Sequence, residues 1–403
     1  MAKRFVLRTE TFGTTLFDKK LLRHKFVRHD EIPTELYFDD VVVEDYEMRE
    51  SDLTNARTDI LYTPIRVYFD LTFACNLRCR TCYNQSGKAS PDELTNEQTK
   101  KALSGLRRDN VLDVRFSGGE ITQRHDWFDI LSEAKKLGFA VSMNTNGVYD
   151  DNSIIPKMAE LDLEQITFSV DGDRELHDYI RGSGNYDRVV DSMSKLHKLG
   201  ATLRINTIIS KNSINSIENM LELASNYADE INFFFFRPIG RARGLMHVIA
   251  TYEDLQRFNE KLERLKPEYS HINILHKEKV IETNSISNNV HNHVGLYVGA
   301  TDGFTRFNIL QNGDLCAGGY ASYIDKDLVL GNIVTEGYTL INVWQNSEKL
   351  NAFREKSKRL VERCNNCEER AERCGGEGIE MLLYREATGE RNPYCKYEVT
   401  NNE

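Results

Sequence analysis

From Ile65 onward, short apolar runs alternate with amphipathic segments. The runs "IRVYFDLTF", "VLDVRFSGGE", "AVSMNTNG", "EQITFSVDG", "TLRINTIIS" and "EINFFFFRPIG" are rich in β-branched and aromatic residues. Between and after them lie "NEQTKKALSGLRR", "DWFDILSEAKKLG", "IIPKMAELD", "YDRVVDSMSKLHKLG", "INSIENMLELASNYA" and "TYEDLQRFNEKLERL", whose apolar residues recur at helical spacing. Strands alternating with helices predict an α/β fold with a parallel sheet. Six such units rather than eight predict a partial (βα)6 barrel. The polar and glycine-rich stretches fall just after strands, the end at which such barrels carry their chemistry.

The flanks read differently. In residues 1–62, "RFVLRTETFGTTLFD" and "KLLRHKFV" predict a hairpin and "ELYFDDVVVEDYEM" a further extended run, a small β-rich unit. It is basic up to Arg28 and acidic from Asp30 to Asp52, which suits either a solvated cap or a docking surface for a peptide. Residues 63–285 hold the barrel, and the polar stretch "IETNSISNNVHNHVG" marks a boundary. Residues 286–403 predict short strands, the helix "SEKLNAFREKSKRLVER" and a cysteine-rich end. Trp127 and Trp344 are expected in the core, "NFFFF" reads as a buried parallel strand, and His291 and His293 as surface residues.

Composition narrows the function. The 403 residues carry a net charge of −10, a poor balance for nucleic acid or an anionic membrane. No apolar run approaches the roughly 18–20 residues of a membrane span, and the N-terminus has no continuous apolar stretch like that of a signal peptide. A cytoplasmic protein is expected. The eight cysteines lie at 75, 79, 82, 316, 364, 367, 374 and 395. In a reducing compartment such clustering points to metal rather than to disulfides.

Cys75, Cys79 and Cys82 are spaced C-x3-C-x2-C in a loop after the first barrel strand, with no fourth Cys or His nearby. A structural zinc would want four ligands. A four-iron cluster takes one thiolate per iron, so three thiolates leave one iron open to an exogenous ligand. C-x3-C-x2-C followed by the aromatic Tyr83 resembles the radical S-adenosylmethionine (SAM) enzymes. The resemblance implies a [4Fe-4S] cluster whose open iron binds SAM. Reductive cleavage of SAM then supplies a 5′-deoxyadenosyl radical that abstracts hydrogen from a substrate, with flavodoxin or ferredoxin as an implied electron donor.

The resemblance extends to the later strand ends. "SGGE", Ser117, Gly118, Gly119 and Glu120, is similar to the family's stretch for the SAM ammonium, with Glu120 as an implied anchor. "NTNG" places Asn144 near the cofactor or in a plain turn. "SVDGDRELHDYIRG" implies Ser169 and Arg181 as contacts to the SAM carboxylate, which a guanidinium can bind through two parallel hydrogen bonds. Asp171 in that stretch is read as a helix cap. Asn206 is an implied ribose contact or a satisfied polar group, and "FFRPIGRARG", with Phe236 and Arg237, resembles the segment that passes the adenine, where Arg237 reads equally as a salt-bridged surface residue.

Cys364-x2-Cys367-x6-Cys374-x20-Cys395 offers four thiolates, suited to zinc or to a four-iron cluster. The run resembles the SPASM/Twitch extension of peptide-modifying radical SAM enzymes and implies one auxiliary [4Fe-4S] cluster on those four residues. Two cysteines of the full SPASM pattern are missing: Gly299 and Gly378 stand where they would be expected. Cys316 is then an orphan thiol or a replacement ligand. "LRTETFGTTLFD" resembles the opening of maturases of ribosomally made peptides. It implies a precursor-peptide substrate, docked through the N-terminal unit and crosslinked, oxidised or epimerised. A small-molecule substrate such as a tetrapyrrole side chain, or a non-catalytic zinc scaffold, are the alternatives.

Overall fold

A computed structural model describes residues 4–27, 43–46, 56–57, 59–276 and 302–364, together with 383, 385–386 and 388–389. The N-terminal unit is a four-stranded sheet, β1 (Phe5–Glu10), β2 (Gly13–Asp18), β3 (Arg23–Val27) and β4 (Val43–Tyr46), in the order β3-β2-β1-β4. The expected hairpin is there: β1 and β2 pair antiparallel from Phe5↔Asp18 to Glu10↔Gly13. Strand β4 joins the far side of β1 in parallel.

The barrel contains all six expected strands: β5 (Arg66–Asp70), β6 (Asp113–Ser117), β7 (Ala140–Thr145), β8 (Gln165–Ser169), β9 (Leu203–Ile209) and β10 (Glu230–Phe235). The helices between them are α1 (Asn96–Arg108), α2 (Trp127–Lys136), α3 (Ile154–Glu160), α4 (Arg174–Arg181), α5 (Asn185–Lys198) and α6 (Ile217–Tyr227); α7 (Tyr252–Leu265) follows β10. Helix α1 starts where Thr95 and Gln98 form a reciprocal capping box, and Thr251 with Asp254 does the same for α7.

The sheet runs further than six strands. On one side β11 (Asn273–His276) pairs parallel with β10, and on the other β12 (Arg306–Ile309) pairs parallel with β5. Strands β13 (Asp314–Cys316) and β14 (Val329–Asn332) then continue it antiparallel. The C-terminal unit, with α8 (Ala321–Ile324), α9 (Ile341–Asn346) and α10 (Glu348–Cys364), is therefore hydrogen-bonded directly to the first barrel strand. The boundary expected near 285, with His291 and His293, lies outside the described residues.

Strand alternation decides what the sheet shows on each face. Val67, Phe69, Val114, Phe116, Val141 and Met143 are buried beneath the helices. Trp127 and Trp344 are core residues as expected, and Trp344 Nε1 donates to Leu61 O at 2.8 Å. In "NFFFF" only Phe233 and Phe236 are fully buried; Phe234 and Phe235 are half-buried. The inner face is polar: Arg66, Tyr68, Asp113, Arg115, Ser142, Gln165, Thr167, Arg204 and Glu230. Burial pushes the Tyr68 phenol up, yet Arg115, Arg66, Arg306 and Arg204 outweigh it and hold it at about 8. Arg204 stands four strands from Tyr68 in the sheet order, nearly 20 Å on a flat sheet at about 4.8 Å per strand. Its charge still reaches Tyr68, as expected where the inner-face side chains converge in a partial barrel.

The N-terminal sheet closes one end of it. Arg8 Nη1 donates to Pro64 O (3.2 Å) and Asn110 O (3.0 Å), Arg66 Nη2 to Leu22 O (3.0 Å), and Lys19 Nζ to Gly138 O (2.7 Å). Residues 64, 110 and 138 all precede barrel strands, so this sheet forms a floor opposite the strand ends that lead into the cysteine loop and "SGGE". Among the described residues no helix is long and apolar enough to cross a membrane.

Candidate active site

The cysteines lie on the loop between β5 and α1. Its path is set by backbone bonds: Cys75 N to Gly87 O (3.0 Å), Gly87 N to Phe73 O (2.8 Å) and Arg80 N to Ile180 O (2.9 Å). Arg241 braces it from beyond β10, through its Nε to Cys79 O (2.8 Å) and its Nη1 to Ser86 O (3.0 Å). Cys79 shares one small buried cluster with Leu77 and Val148, and Cys75 and Cys82 pack against it. Among the described residues no three His, Cys, Asp or Glu side chains gather tightly enough for a single metal ion.

Burial pushes the Cys75 thiol up to about 11 against the backbone N–H of Leu77, and raises Cys79 against the pull of Arg181. Thiolates in such a pocket need positive charge, which iron would supply. Donors already face the sulfurs: Leu77 N to Cys75 Sγ (3.4 Å), Asn146 Nδ2 to Cys75 Sγ (3.9 Å) and Arg181 Nη1 to Cys79 Sγ (3.9 Å). Hydrogen bonds of this kind tune iron–sulfur clusters.

"SGGE" lies against this loop. Gly119 N donates to Thr72 O (2.7 Å) and Glu120 N to Ala74 O (2.8 Å). A Cβ on Gly119 would come within 2.1 Å of Ala74 O, and Gly118 adopts φ +128. Both glycines are thus required for the second strand end to reach the cysteine loop. Glu120 has a second, structural engagement beside its expected role. It is fully buried, and its oxygens accept from Thr122 Oγ1 (3.0 Å), Thr145 Oγ1 (3.0 Å) and Asn146 N (2.7 Å). The carboxylate ties "SGGE" to the third strand end.

Ser117, Asn144, Ser169 and Asn206 form a half-buried polar row across β6 to β9. Asn144 Nδ2 reaches Ser117 Oγ at 3.4 Å, and Ser169 is the register partner of Asn206. Asn144 Oδ1 is buried without a hydrogen-bond partner, which fits a polar ligand lying along the row. Arg181 is oriented by Asp171, Nε to Oδ2 at 2.7 Å. Asp171 is therefore not a helix cap; that position belongs to Asp173, whose Oδ1 accepts from Leu176 N at 3.0 Å. Phe236 is a core side chain, 1% exposed, so its ring is not open to a ligand. Arg237 lies over the Tyr320 ring at 4.6 Å.

A model of the radical SAM superfamily matches residues 70–224, and one of the SPASM iron–sulfur cluster-binding domain matches residues 301–368. The chain is a radical SAM enzyme with a SPASM domain. Mycofactocin maturase MftC of Mycolicibacterium smegmatis is 29% identical over 307 residues, 73% of this chain and 74% of that protein. AdoMet-dependent heme synthase of Methanosarcina barkeri is 27% identical over 351 residues, 83% of this chain and 97% of that one. Two crystal structures of Streptococcus suis SuiB, bound to S-adenosylmethionine and to the precursor peptide SuiA, share the fold, each with a TM-score of 0.72. Each covers 98% of this chain, at 18% and 19% identity, and 97% and 98% of the SuiB chains.

As a radical SAM enzyme the chain uses a [4Fe-4S] cluster and SAM, and its SPASM domain an auxiliary iron–sulfur cluster. The three thiols, their N–H donors and the polar row fit the first two. For the auxiliary cluster, α10 ends at Cys364, whose side chain, with Cys367, Cys374 and Cys395, lies outside the described residues, as do Gly299 and Gly378. Cys316 is fully buried on β13, and burial pushes its thiol up to about 12. Three further residues escaped the sequence reading: Asp171 as the partner of Arg181, Asn146 as a donor to Cys75, and Asp70.

Proposed function

We propose that the enzyme modifies a ribosomally made precursor peptide by removing a hydrogen atom from it. The observation that carries this reading is the likeness to mycofactocin maturase, which spans about three quarters of both chains; a SuiB structure of the same fold holds a precursor peptide. Bound at the mouth of the barrel, the cluster and SAM supply the radical. The chain's residues hold and orient: Cys75, Cys79 and Cys82 take the irons; Ser117, Asn144, Ser169 and Asn206 offer polar contacts to SAM; and Arg181, aimed by Asp171, offers its guanidinium to the SAM carboxylate. Cys364, Cys367, Cys374 and Cys395 hold the auxiliary cluster. Exposed Arg78, Arg80 and Lys88 on the cysteine loop suit an acidic electron donor such as flavodoxin or ferredoxin, in the cytoplasm.

The N-terminal sheet is the docking unit in this reading, by addition of a strand to its edge. Its position at the floor sets a condition. The longest barrel strand has seven residues, so floor and mouth are roughly 20 Å apart. A leader held at the floor needs about six or more extended residues before the modified one. The heme synthase likeness favours a second reading, a tetrapyrrole side chain as substrate.

The test is anaerobic reconstitution with iron and sulfide. SAM, a reductant and a short peptide encoded beside the gene are added, and 5′-deoxyadenosine and peptide mass are followed together. A mass change, or deuterium uptake from heavy water, supports the maturase and names its reaction. Deoxyadenosine release with peptides untouched and a tetrapyrrole altered would overturn it.

A further inference from the structure

Asp70 ends β5. Alternation sends Val67 and Phe69 into the apolar core, where Phe69 stacks on Phe116 at 6.2 Å, and turns Arg66, Tyr68 and Asp70 to the inner face. The first two are matched: Arg66 pairs with Asp113, and Arg115 Nη1 reaches Tyr68 OH at 3.4 Å. Asp70 is not. It is 3% exposed, and among the described residues its carboxylate takes no hydrogen bond and meets no cation. The titratable groups that feel its charge are Tyr83 of the cysteine loop, Tyr323 of α8 and Cys316 of β13, all acids; Asp314 lies beyond Cys316. Its register partner on β6 is Ser117. The Tyr323 hydroxyl is buried and has no hydrogen-bond partner. The Tyr83 ring meets Tyr323 edge-on at 5.5 Å and Tyr320 at 4.7 Å.

A carboxylate and a phenol thus stand unpartnered between the cysteine loop and the hairpin of the SPASM unit. Leaving either buried and unpaired is costly, and such groups beside a reaction site are candidates for proton transfer. The polar row on β6 to β9 does not use them, and the charged network of the floor does not reach them.

We propose that Asp70, with Tyr323 beside it, accepts the proton that the bound substrate gives up during its modification. An N–H or O–H bond of the substrate breaks, its electron pair stays on the substrate, and the carboxylate becomes a carboxylic acid. The Tyr323 hydroxyl, which has no hydrogen-bond partner in the structure and feels the Asp70 charge, is the donor available to the carboxylate once substrate is bound. This rests on the hydrogen-abstraction reading above and supplies the acid–base group of that site. Burial alone pushes the Asp70 carboxyl up to about 7, so it changes charge near neutrality, as a base in this position should.

Asp70→Asn keeps size and polarity. At matched iron content it should form 5′-deoxyadenosine within about twofold of wild type and lose product by about 100-fold or more, with Asp70→Glu restoring part of the loss. The wild-type product rate should fall as pH drops below about 7, and the residual rate of Asp70→Asn should not. A wild-type product rate and pH profile in Asp70→Asn overturns the proposal. An infrared titration needs no substrate: the carboxyl band missing in Asp70→Asn should titrate near neutrality, and a band already ionised at acid pH also overturns it. A wild type that changes no peptide then counts against the maturase reading, not against Asp70. If Asp70→Asn does not fold, Tyr323→Phe replaces it. Its product rate should fall about tenfold with a shifted pH profile, and an unchanged profile contradicts the pairing.

Discussion

The two ends of the barrel are built from similar residues and treat them in opposite ways. At the floor, among the described residues, buried arginines meet carboxylates, although His24 Nε2, Asp113 Oδ1 and Arg204 Nε take no hydrogen bond. Arg8 and Glu10 are both fully enclosed and joined at 2.7 Å; Arg8 also donates to Thr63 Oγ1, Thr63 O, Pro64 O and Asn110 O. Arg66 pairs with Asp113, Arg306 with Asp302, and Arg204 with Glu230 at 3.2 Å. At the mouth, among the described residues, Asp70 has no cation, the Tyr323 hydroxyl and Asn144 Oδ1 have no partner, and burial raises two of the thiols. Buried polar groups in folded proteins are almost always satisfied. Ion pairs at one end mark architecture. A carboxylate without a cation at the other is what the proposed substrate site would use.

This contrast can be broken from the floor. Glu10→Ala removes the carboxylate that accepts from Arg8, Thr15 Oγ1 (2.7 Å) and Tyr62 N (3.1 Å). It should cost about 3–5 kcal/mol, because a buried guanidinium is left uncompensated. Urea denaturation would show this as a lower midpoint, with iron per folded chain unchanged; iron lost from a chain still folded would mean that floor and mouth are not separable.

A smaller effect sharpens the same point. His24, on β3, has an Nε2 sealed from solvent without a partner, and burial first, then Arg66 and Arg8, hold its ring down at about 3 against the usual 6.5. The unfolded chain therefore takes up a proton that the folded chain refuses. Stability should fall as pH drops from about 6.5 towards 3. Relative to wild type, His24→Gln should gain roughly 1–2 kcal/mol between pH 7 and pH 5. Parallel stability curves for the two proteins would show that His24 is solvated.

What was legible in the sequence was local. C-x3-C-x2-C, "SGGE" and "HDYIRG" announce themselves by spacing, and the βα rhythm gave the six central strands. Residues whose roles depend on register across strands were not legible. Asp171 and Asp173 stand two apart in one loop, and only the backbone tells which caps α4 and which holds Arg181. Glu120 sits in a stretch read as a SAM contact, and only the fold shows that Thr145 and Asn146 of the next strand end also bind its carboxylate. The inner face misleads in another way. "DVRFS" alternates like a strand with one wet face, because in this partial barrel the interior is a network of arginines and carboxylates rather than the branched apolar layers of a closed one. Strand β11 was missed because its four residues follow α7 without a helix of their own.

The most direct test of the account is iron content and SAM cleavage in Cys79→Ala beside wild type, after anaerobic reconstitution. Wild type should hold about eight irons, two four-iron clusters, and release 5′-deoxyadenosine. Cys79→Ala should hold about four, those of the auxiliary cluster, and release none. Zinc in place of iron in the wild type, or SAM cleavage that survives in Cys79→Ala, would contradict the assignment of the barrel mouth as the radical site.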